Sequence, residues 1–211
     1  MNWMEDIPET ISSKYEIHNY NHAAEILSQA FAQEYSEVLL ALDKFSITTA
    51  DMISGGGSES QIPRNMSGIL RPMNWQEVRI AGDLLVKAHY RQTNAIVEST
   101  VVEFIQGHNI DYVKNRIALD LEWNSKDQTF DRDLFAFRTF YECGIISCGI
   151  IITRSENLNP IFRKLGIMKK YGASTTWMGK LLPRLQSRRH GGCPLLVFGI
   201  TSAVISDLEV E

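Results

Sequence analysis

The chain has 211 residues, 44% of them hydrophobic, and a formal net charge of −4 at pH 7. This length and composition predict one globular domain over residues 1–211, with a substantial core. No run of about 18 apolar residues is present to span a membrane. The polar, acidic start MNWMEDIPETISSKYE does not resemble a signal peptide. We therefore expect a cytoplasmic protein with no membrane partner.

The first half of the chain contains two helical patterns separated by a glycine-rich segment. Asn21 can cap a helix through HAAEILSQAFAQEYSEVLLALDKF, where apolar residues recur near helical spacing. SGGGSES, residues 54–60, predicts a loop. Asn74 can start a second helix, WQEVRIAGDLLVKAHY, and the β-branched residues of ESTVVEFIQG fit either a strand or a helix. Residues 1–105 are thus predicted to form a mainly helical scaffold.

The second half alternates strands and helices. RIALDLEW is a strand by residue type, DRDLFAFRTFYECG is an amphipathic helix with Asp131 as a cap, and ISCGIIITR is typical of a central strand. SENLNPIFRKLG predicts a short helix that Gly166 stops, and STTWMGKLLPRL predicts one that Pro183 interrupts or shortens. PLLVFGITSAVI predicts a last buried strand. This order predicts an α/β fold with a mixed central sheet flanked by helices, whose core is formed by residues 106–211.

Two acids interrupt the apolar strand RIALDLEW. Because alternate residues of a strand share a face, Asp120 and Glu122 stand side by side, about 6–7 Å apart at their bases. A turn before Arg116 would bring Asp111 back beside Asp120. Converging carboxylates favour Mg²⁺, Mn²⁺ or Ca²⁺ over zinc, and Mg²⁺ held in this way supports phosphodiester hydrolysis. The alternative is that both acids form the polar face of an edge strand. The opposite face carries Ile117, Leu119, Leu121 and Trp123.

Basic residues are concentrated near the end of the chain. From Arg154 to His190 there are nine lysines and arginines, and Glu156 is the only acid in that span. Such asymmetry can create a basic surface on an acidic protein and indicates a nucleic-acid partner. The alternative is an ordinary solvated face.

The arrangement Asp-x8-Asp-x-Glu, on a strand after a turn, resembles the active-site pattern of PD-(D/E)xK nucleases. DYVKNRIALDLEW, DLFAF, CGIIIT and GGCPLLVFGI together are similar to the BglII/BstYI/BamHI-like group of type II restriction endonucleases. The likeness covers roughly the C-terminal half, with a weaker echo in YNHAAEIL. It implies a restriction-endonuclease-like core, Mg²⁺ as cofactor with Mn²⁺ as a substitute, and double-stranded DNA as partner. It further implies a homodimer, each subunit cutting one strand of a palindrome, within a restriction-modification system.

The resemblance also implies roles for individual residues. Asp111 and Asp120 match the two metal-binding acids, although Glu is usual at the second position, and the backbone carbonyl of Leu121 is a further metal ligand. Glu122 stands where most of the superfamily has Lys and BglII-like enzymes have Gln. Its role remains open between a general base and a metal ligand acting through water. The implied catalytic set is Asp111, Asp120 and Glu122.

Candidate DNA contacts are basic or small hydroxyl residues. In the implied complex, arginines and lysines neutralise phosphates or reach base edges, and small residues at a helix start can approach the duplex. For the hydroxyl residues, ordinary helix capping is the alternative. The candidates are Lys126, Ser174, Thr175, Thr176, Lys180, Arg184, Arg188 and Arg189.

A Mg²⁺-dependent, site-specific DNA endonuclease is the leading hypothesis from the sequence. A catalytically inactive DNA-binding dimer with the same fold is one alternative. A metal-dependent phosphohydrolase acting on small substrates is the other.

Overall fold

A computed structural model describes residues 3–54 and 60–208, so residues 55–59 of the expected glycine-rich loop lie outside the described part. Six strands form one mixed sheet in the order β1-β6-β5-β4-β3-β2. Strands β4, β5 and β6 run parallel, while β1, β3 and β2 join them by antiparallel pairing. The predicted α/β fold with a mixed sheet is confirmed. The strands are β1 (Tyr15–Tyr20), β2 (Gln76–Tyr90), β3 (Ala95–Lys114), β4 (Ile117–Glu122), β5 (Cys148–Arg154) and β6 (Leu195–Ile200).

Helices cover both faces of the sheet. The core on one face contains buried residues from the first five helices and the seventh, and the core on the other contains those from the sixth and eighth. Among the described residues, no helix is long and apolar enough to cross a membrane. The helices are α1 (Glu9–Ser12), α2 (Ala23–Ala30), α3 (Ala32–Lys44), α4 (Thr49–Ile53), α5 (Gln61–Leu70), α6 (Thr129–Glu142), α7 (Asn159–Lys164) and α8 (Met178–Gln186).

Strand β4 is central, since it lies between β3 and β5 and all of its residues are buried. The edge-strand alternative for its two acids is therefore wrong. The face shared by Ile117, Leu119 and Leu121 packs against the N-terminal helices, as the alternation predicts. Ala118 belongs to the other core, beside α6 and α8. Asp120 and Glu122 consequently point to the side of the sheet that α6 covers.

The segment predicted as a second helix is instead strand β2, so residues 1–105 are less helical than expected. Val78, Ile80, Leu84 and Val86 alternate along it, and this spacing of two coexists with the helical one. The β-rich strand β3 pairs with β2 along most of its length, and this pairing overrides the local helical preference. The N-terminal segment also contributes β1, which pairs with β6 at the far edge of the sheet.

Three smaller expectations about helix ends and interruptions were wrong. The helix expected after Asn21 is two helices, broken at Phe31, and the first has His22 as its N-cap. Asp131 lies within the first turn of α6, whose N-cap is Gln128. Pro183 lies inside α8 without ending it, and its carbonyl still accepts from the Ser187 amide at 3.1 Å.

Strands β2 and β3 extend together beyond the rest of the sheet as a two-stranded arm, residues 82–105. Strand β3 pairs with β4 only through Tyr112–Lys114, so within the described chain the arm has no third strand. One face is apolar and exposed, and the other carries the Lys87–Glu98 ion pair at 2.7 Å. The register shifts around Gly82, and Glu103 has a φ of 50°, so a bulge lies near the base of the arm. The apolar face includes Leu84, Val86, Tyr90, Val97 and Val101.

Candidate metal centre and nucleic-acid interface

Asp111 and Asp120 face each other where β3 and β4 separate. Regular pairing of the two strands ends at Tyr112 and Leu119. Beyond that point the Asp111 amide donates to Oδ1 of Asp120 at 2.8 Å, and the Leu121 amide donates to Oδ2 of Asp111 at 3.1 Å. Side-chain hydrogen bonds thus replace the next pair of the ladder. They hold both carboxylates against the backbone, with Asp111 returned beside Asp120 as the sequence predicted.

The carboxylates of Asp111, Asp120 and Glu122 are shielded from solvent and surrounded by other negatively charged groups. Burial, together with the nearby charge of Asp133, raises the pKa of Asp120 well above its ordinary value and that of Glu122 to about 8. Burial also raises the pKa of Asp111. Within the described residues, Oδ2 of Asp120 and Oε2 of Glu122 are buried without a hydrogen-bond partner. Oxygen ligands with unbalanced negative charge and unpaired atoms fit a divalent cation such as Mg²⁺.

Asp133 and His108 also belong to this cluster, and neither was among the site residues predicted from the sequence. Asp133 is 2% exposed on α6, and Nε2 of His108 lies 3.5 Å from its Oδ1. Helix α6 packs closely on β5, since a Cβ at Gly149 would come within 2.7 Å of Phe137. A signal for Asp133 was present in the sequence. It shares the apolar helix face of Phe130 and Phe137, where an unpaired acid is unexpected.

A cleft of about 710 Å³ opens over one side of the carboxylate cluster. Asp111, Leu121 and Glu122 line it, whereas Asp120 is 3% exposed and does not. Arg71 also lines the cleft, with Cζ 4.6 Å from the centre of the Tyr112 ring. Its positive charge lowers the pKa of Asp111, partly offsetting the effect of burial. Carboxylates that can bind a metal and a cationic side chain that can bind a phosphate therefore line the same cleft.

The family model for the restriction endonucleases BglII/BglIII matches residues 15–200. The chain belongs to this family. No curated protein matches the chain significantly. The members of this family are restriction endonucleases, which are DNA-cleaving hydrolases that typically use a divalent metal. The match includes β1 and helices α2 to α5, beyond the C-terminal half in which most of the motifs were found.

In this restriction-endonuclease fold, the segment after β4 is joined to residues 172–176. The Asp127 amide donates to the Ser174 carbonyl at 3.0 Å, and the Thr176 amide donates to the Ser125 carbonyl at 2.8 Å. Lys126 and Thr175 form an isolated β-bridge between the two segments. The hydroxyl-rich segment predicted to contact DNA therefore lies immediately beyond the end of β4.

Arg154 connects these segments from the interior. Its guanidinium is 1% exposed, and Nε donates to the carbonyls of Trp123, at 2.7 Å, and Thr176, at 3.1 Å. A further hydrogen bond reaches the Thr175 hydroxyl at 2.6 Å, and burial lowers the pKa of Arg154 to about 10. The first residue of the basic span thus supports the site from within the protein.

The structure separates the candidate DNA contacts into exposed and engaged residues. Lys126, Ser174 and Arg188 are exposed. Thr175 is half-buried, and Thr176 is fully buried, so the Thr176 hydroxyl is not available to a duplex in this conformation.

Three basic candidates are engaged by acids from outside the basic span. Arg184 binds both carboxylate oxygens of Asp131 at 3.0 Å, and Arg189 also donates to Asp131. Lys180 lies 3.8 Å from Asp127. The net positive charge of this surface is accordingly smaller than the sequence count suggested.

Proposed function

We propose that the protein is a type II endonuclease that hydrolyses phosphodiester bonds of duplex DNA at a palindromic site and requires Mg²⁺. One observation carries the proposal. In a chain of the BglII/BglIII family, Asp111 and Glu122 line a cleft that Arg71 also lines, and Asp120 lies next to Asp111. Among the described residues, Oδ2 of Asp120 and Oε2 of Glu122 are buried without a hydrogen-bond partner. Mn²⁺ is expected to substitute for Mg²⁺, since both accept carboxylate and carbonyl oxygens.

The carboxylates of Asp111 and Asp120, with the Leu121 carbonyl, would hold the metal. A bound Mg²⁺ would polarise the scissile phosphate and lower the pKa of the attacking water. Burial and Asp133 raise the pKa of Glu122 to about 8, so its carboxylate, once ionised, is a stronger base than an ordinary Glu and would accept a proton from that water. A Gln at this position could only orient the water. Arg71, with its charge acting on Asp111, is placed to neutralise a neighbouring phosphate.

Contacts to the duplex are assigned to the exposed candidates. Lys126 and Arg188 can neutralise phosphates, and the Ser174 hydroxyl can donate to or accept from a base edge. The segment of Ser174 is fixed to the residues that follow β4 by backbone hydrogen bonds. These backbone hydrogen bonds would therefore keep the base-reading segment at a fixed position relative to the catalytic carboxylates.

Digestion of a mixed-sequence DNA substrate, with Mg²⁺ or with EDTA, tests the function. We expect cleavage only with Mg²⁺, and sequencing of the ends should return one palindromic site. Salt-sensitive DNA binding without cleavage would instead identify an inactive DNA-binding dimer. Hydrolysis of a small phosphate ester without DNA affinity would identify a phosphohydrolase. Either result would overturn the endonuclease proposal.

We further propose that the enzyme is a homodimer whose subunits meet through the apolar faces of their arms. A two-fold contact suits this face, because an apolar sheet surface can pack on an identical copy. The face is without charged residues from Leu84 to Tyr90 and Ala95 to Val101, which argues against DNA as its partner. It also continues the core through Ile80 and Ile105, which pack beside α6. An isolated hairpin with such a face is marginal in water unless it is covered.

Charge introduced on the apolar face should separate the subunits. Val97→Glu would bury a carboxylate from each copy, and we expect the dimer dissociation constant to rise on the order of 10²-fold. The matched control is Thr100→Glu, on the opposite face of the same arm. Sedimentation velocity at several protein concentrations measures the dimer dissociation constant of the wild type and of both variants. A monomeric wild type, or equal dissociation by the two variants, would exclude this interface.

A further inference from the structure

A second group of potential ligands lies on the α6 side of the carboxylate cluster. His108 of β3, Asp120 of β4 and Asp133 of α6 each offer one ligand atom, and the three atoms lie within 4.8 Å of one another. The residues are 9%, 3% and 2% exposed, respectively. Three separate elements therefore direct a nitrogen and two carboxylate oxygens at one buried point. That spacing requires only small shifts to surround a divalent ion.

The hydrogen bonding of these residues gives independent support. Among the described residues, Nε2 of His108, Oδ2 of Asp120 and Oδ2 of Asp133 are buried with no hydrogen-bond partner. Nε of Arg132 lies 3.7 Å from Oδ1 of Asp133, beyond hydrogen-bonding distance. Buried polar atoms are almost always paired in native proteins. Three unpaired atoms around one point indicate that a positively charged ligand completes the arrangement.

We propose that His108, Asp120 and Asp133 bind a second divalent cation, distinct from the one assigned to Asp111, Asp120 and Leu121. One imidazole nitrogen with two carboxylates favours Mn²⁺ or Zn²⁺ over Mg²⁺ or Ca²⁺, which prefer oxygen ligands alone. Asp120 belongs to both sets of ligands, and a shared carboxylate is compatible with two metals about 3.5–4 Å apart. The assignment of the first metal site rests on the proposed function. The assignment of the second site rests on the geometry of His108, Asp120 and Asp133.

The charge of the cluster is consistent with two ions. Ligand atoms of Asp120 and Asp133 lie within 4.8 Å of each other, Oδ1 of Asp120 accepts from the Asp111 amide, and Glu122 follows on the same strand face. One divalent cation would balance only half of the charge of four ionised carboxylates. A second would balance the remainder, with His108 as a neutral ligand. The ion would also connect α6 to the sheet at the position where Asp120 must be fixed.

Mn²⁺ titration of the full-length, DNA-free protein, followed by electron paramagnetic resonance, tests the inference. We expect two bound Mn²⁺ ions for the wild type. His108→Gln and Asp133→Asn should each weaken one of them by about 10- to 100-fold or more. Asp111→Asn should remove the other ion, and Asp120→Asn should remove both. The control is His89→Gln, an exposed histidine on the arm, which should still bind two ions.

Two outcomes of this titration would overturn the inference. One Mn²⁺ ion in the wild type would do so, as would two unweakened ions in both His108→Gln and Asp133→Asn. Far-UV circular dichroism checks that each variant is folded. If either His108→Gln or Asp133→Asn is unfolded, the result for the other variant decides. Two bound ions in a protein that cuts no DNA would contradict only the proposed function. One ion in an active nuclease would sink this inference alone.

Discussion

Replacing Asp120 by Asn will abolish DNA cleavage and leave DNA binding intact. Asn keeps the side-chain volume, and its carbonyl oxygen can still accept from the Asp111 amide, now 2.8 Å from Oδ1 of Asp120. The substitution removes the negative charge that a hard cation requires. We expect the cleavage rate to fall by ~10³-fold or more, as for loss of a central catalytic group. Nicking of supercoiled plasmid and gel-shift titration measure the two properties separately.

The matched control for Asp120 is Asp43→Asn. Asp43 is exposed at the end of α3, where it pairs with Lys14 at 3.4 Å, and it does not line the cleft. This variant should cleave at the wild-type rate. Cleavage by Asp120→Asn at an unchanged rate would show that the buried carboxylates are structural, and the endonuclease mechanism would have to be abandoned.

Replacing Arg154 by Met will lower the free energy of unfolding by about 2–4 kcal/mol. Met fills a similar apolar volume among the rings of Trp123, Phe162 and Tyr171, which surround the guanidinium. The loss arises because buried carbonyls of Trp123 and Thr176 lose their donor. Relief of the cost of burying a cation, evident in the lowered pKa of Arg154, offsets part of it. Urea denaturation at pH 7 measures the difference.

Arg163→Met is the control for Arg154. Arg163 belongs to the same basic span but is exposed in the last turn of α7. Its substitution should change the free energy of unfolding by less than about 0.5 kcal/mol. Equal urea midpoints for Arg154→Met and the wild type would contradict the supporting role given to the buried guanidinium.

Strands β4, β5 and β6 could be predicted because their apolar patterns are local. The alternation in RIALDLEW also gave the correct faces, and the short connection before Arg116 returned Asp111 to Asp120. Strand β2 could not be predicted with the same certainty, because WQEVRIAGDLLVKAHY satisfies both a helical and an extended spacing. The choice between them depends on β3, which is formed by residues further along the chain.

The parts of the site that escaped prediction depend on packing between distant elements. Asp133 and His108 meet only because α6 lies against β3 and β4, and no spacing in the sequence encodes that contact. The basic span was overestimated for the same reason. Counting charges between Arg154 and His190 excluded Asp127 and Asp131, which the fold brings against Arg184.

The 20 residues of strand β3 connect the arm to the carboxylate cluster. Val97 and Val101 occupy its first part, and His108 and Asp111 its last, with the bulge at Glu103 between them. Self-association and ion uptake would then act on the same length of backbone. Thermodynamic reciprocity requires that, if pairing of two chains tightens cation binding, cations must tighten the pairing by an equal factor.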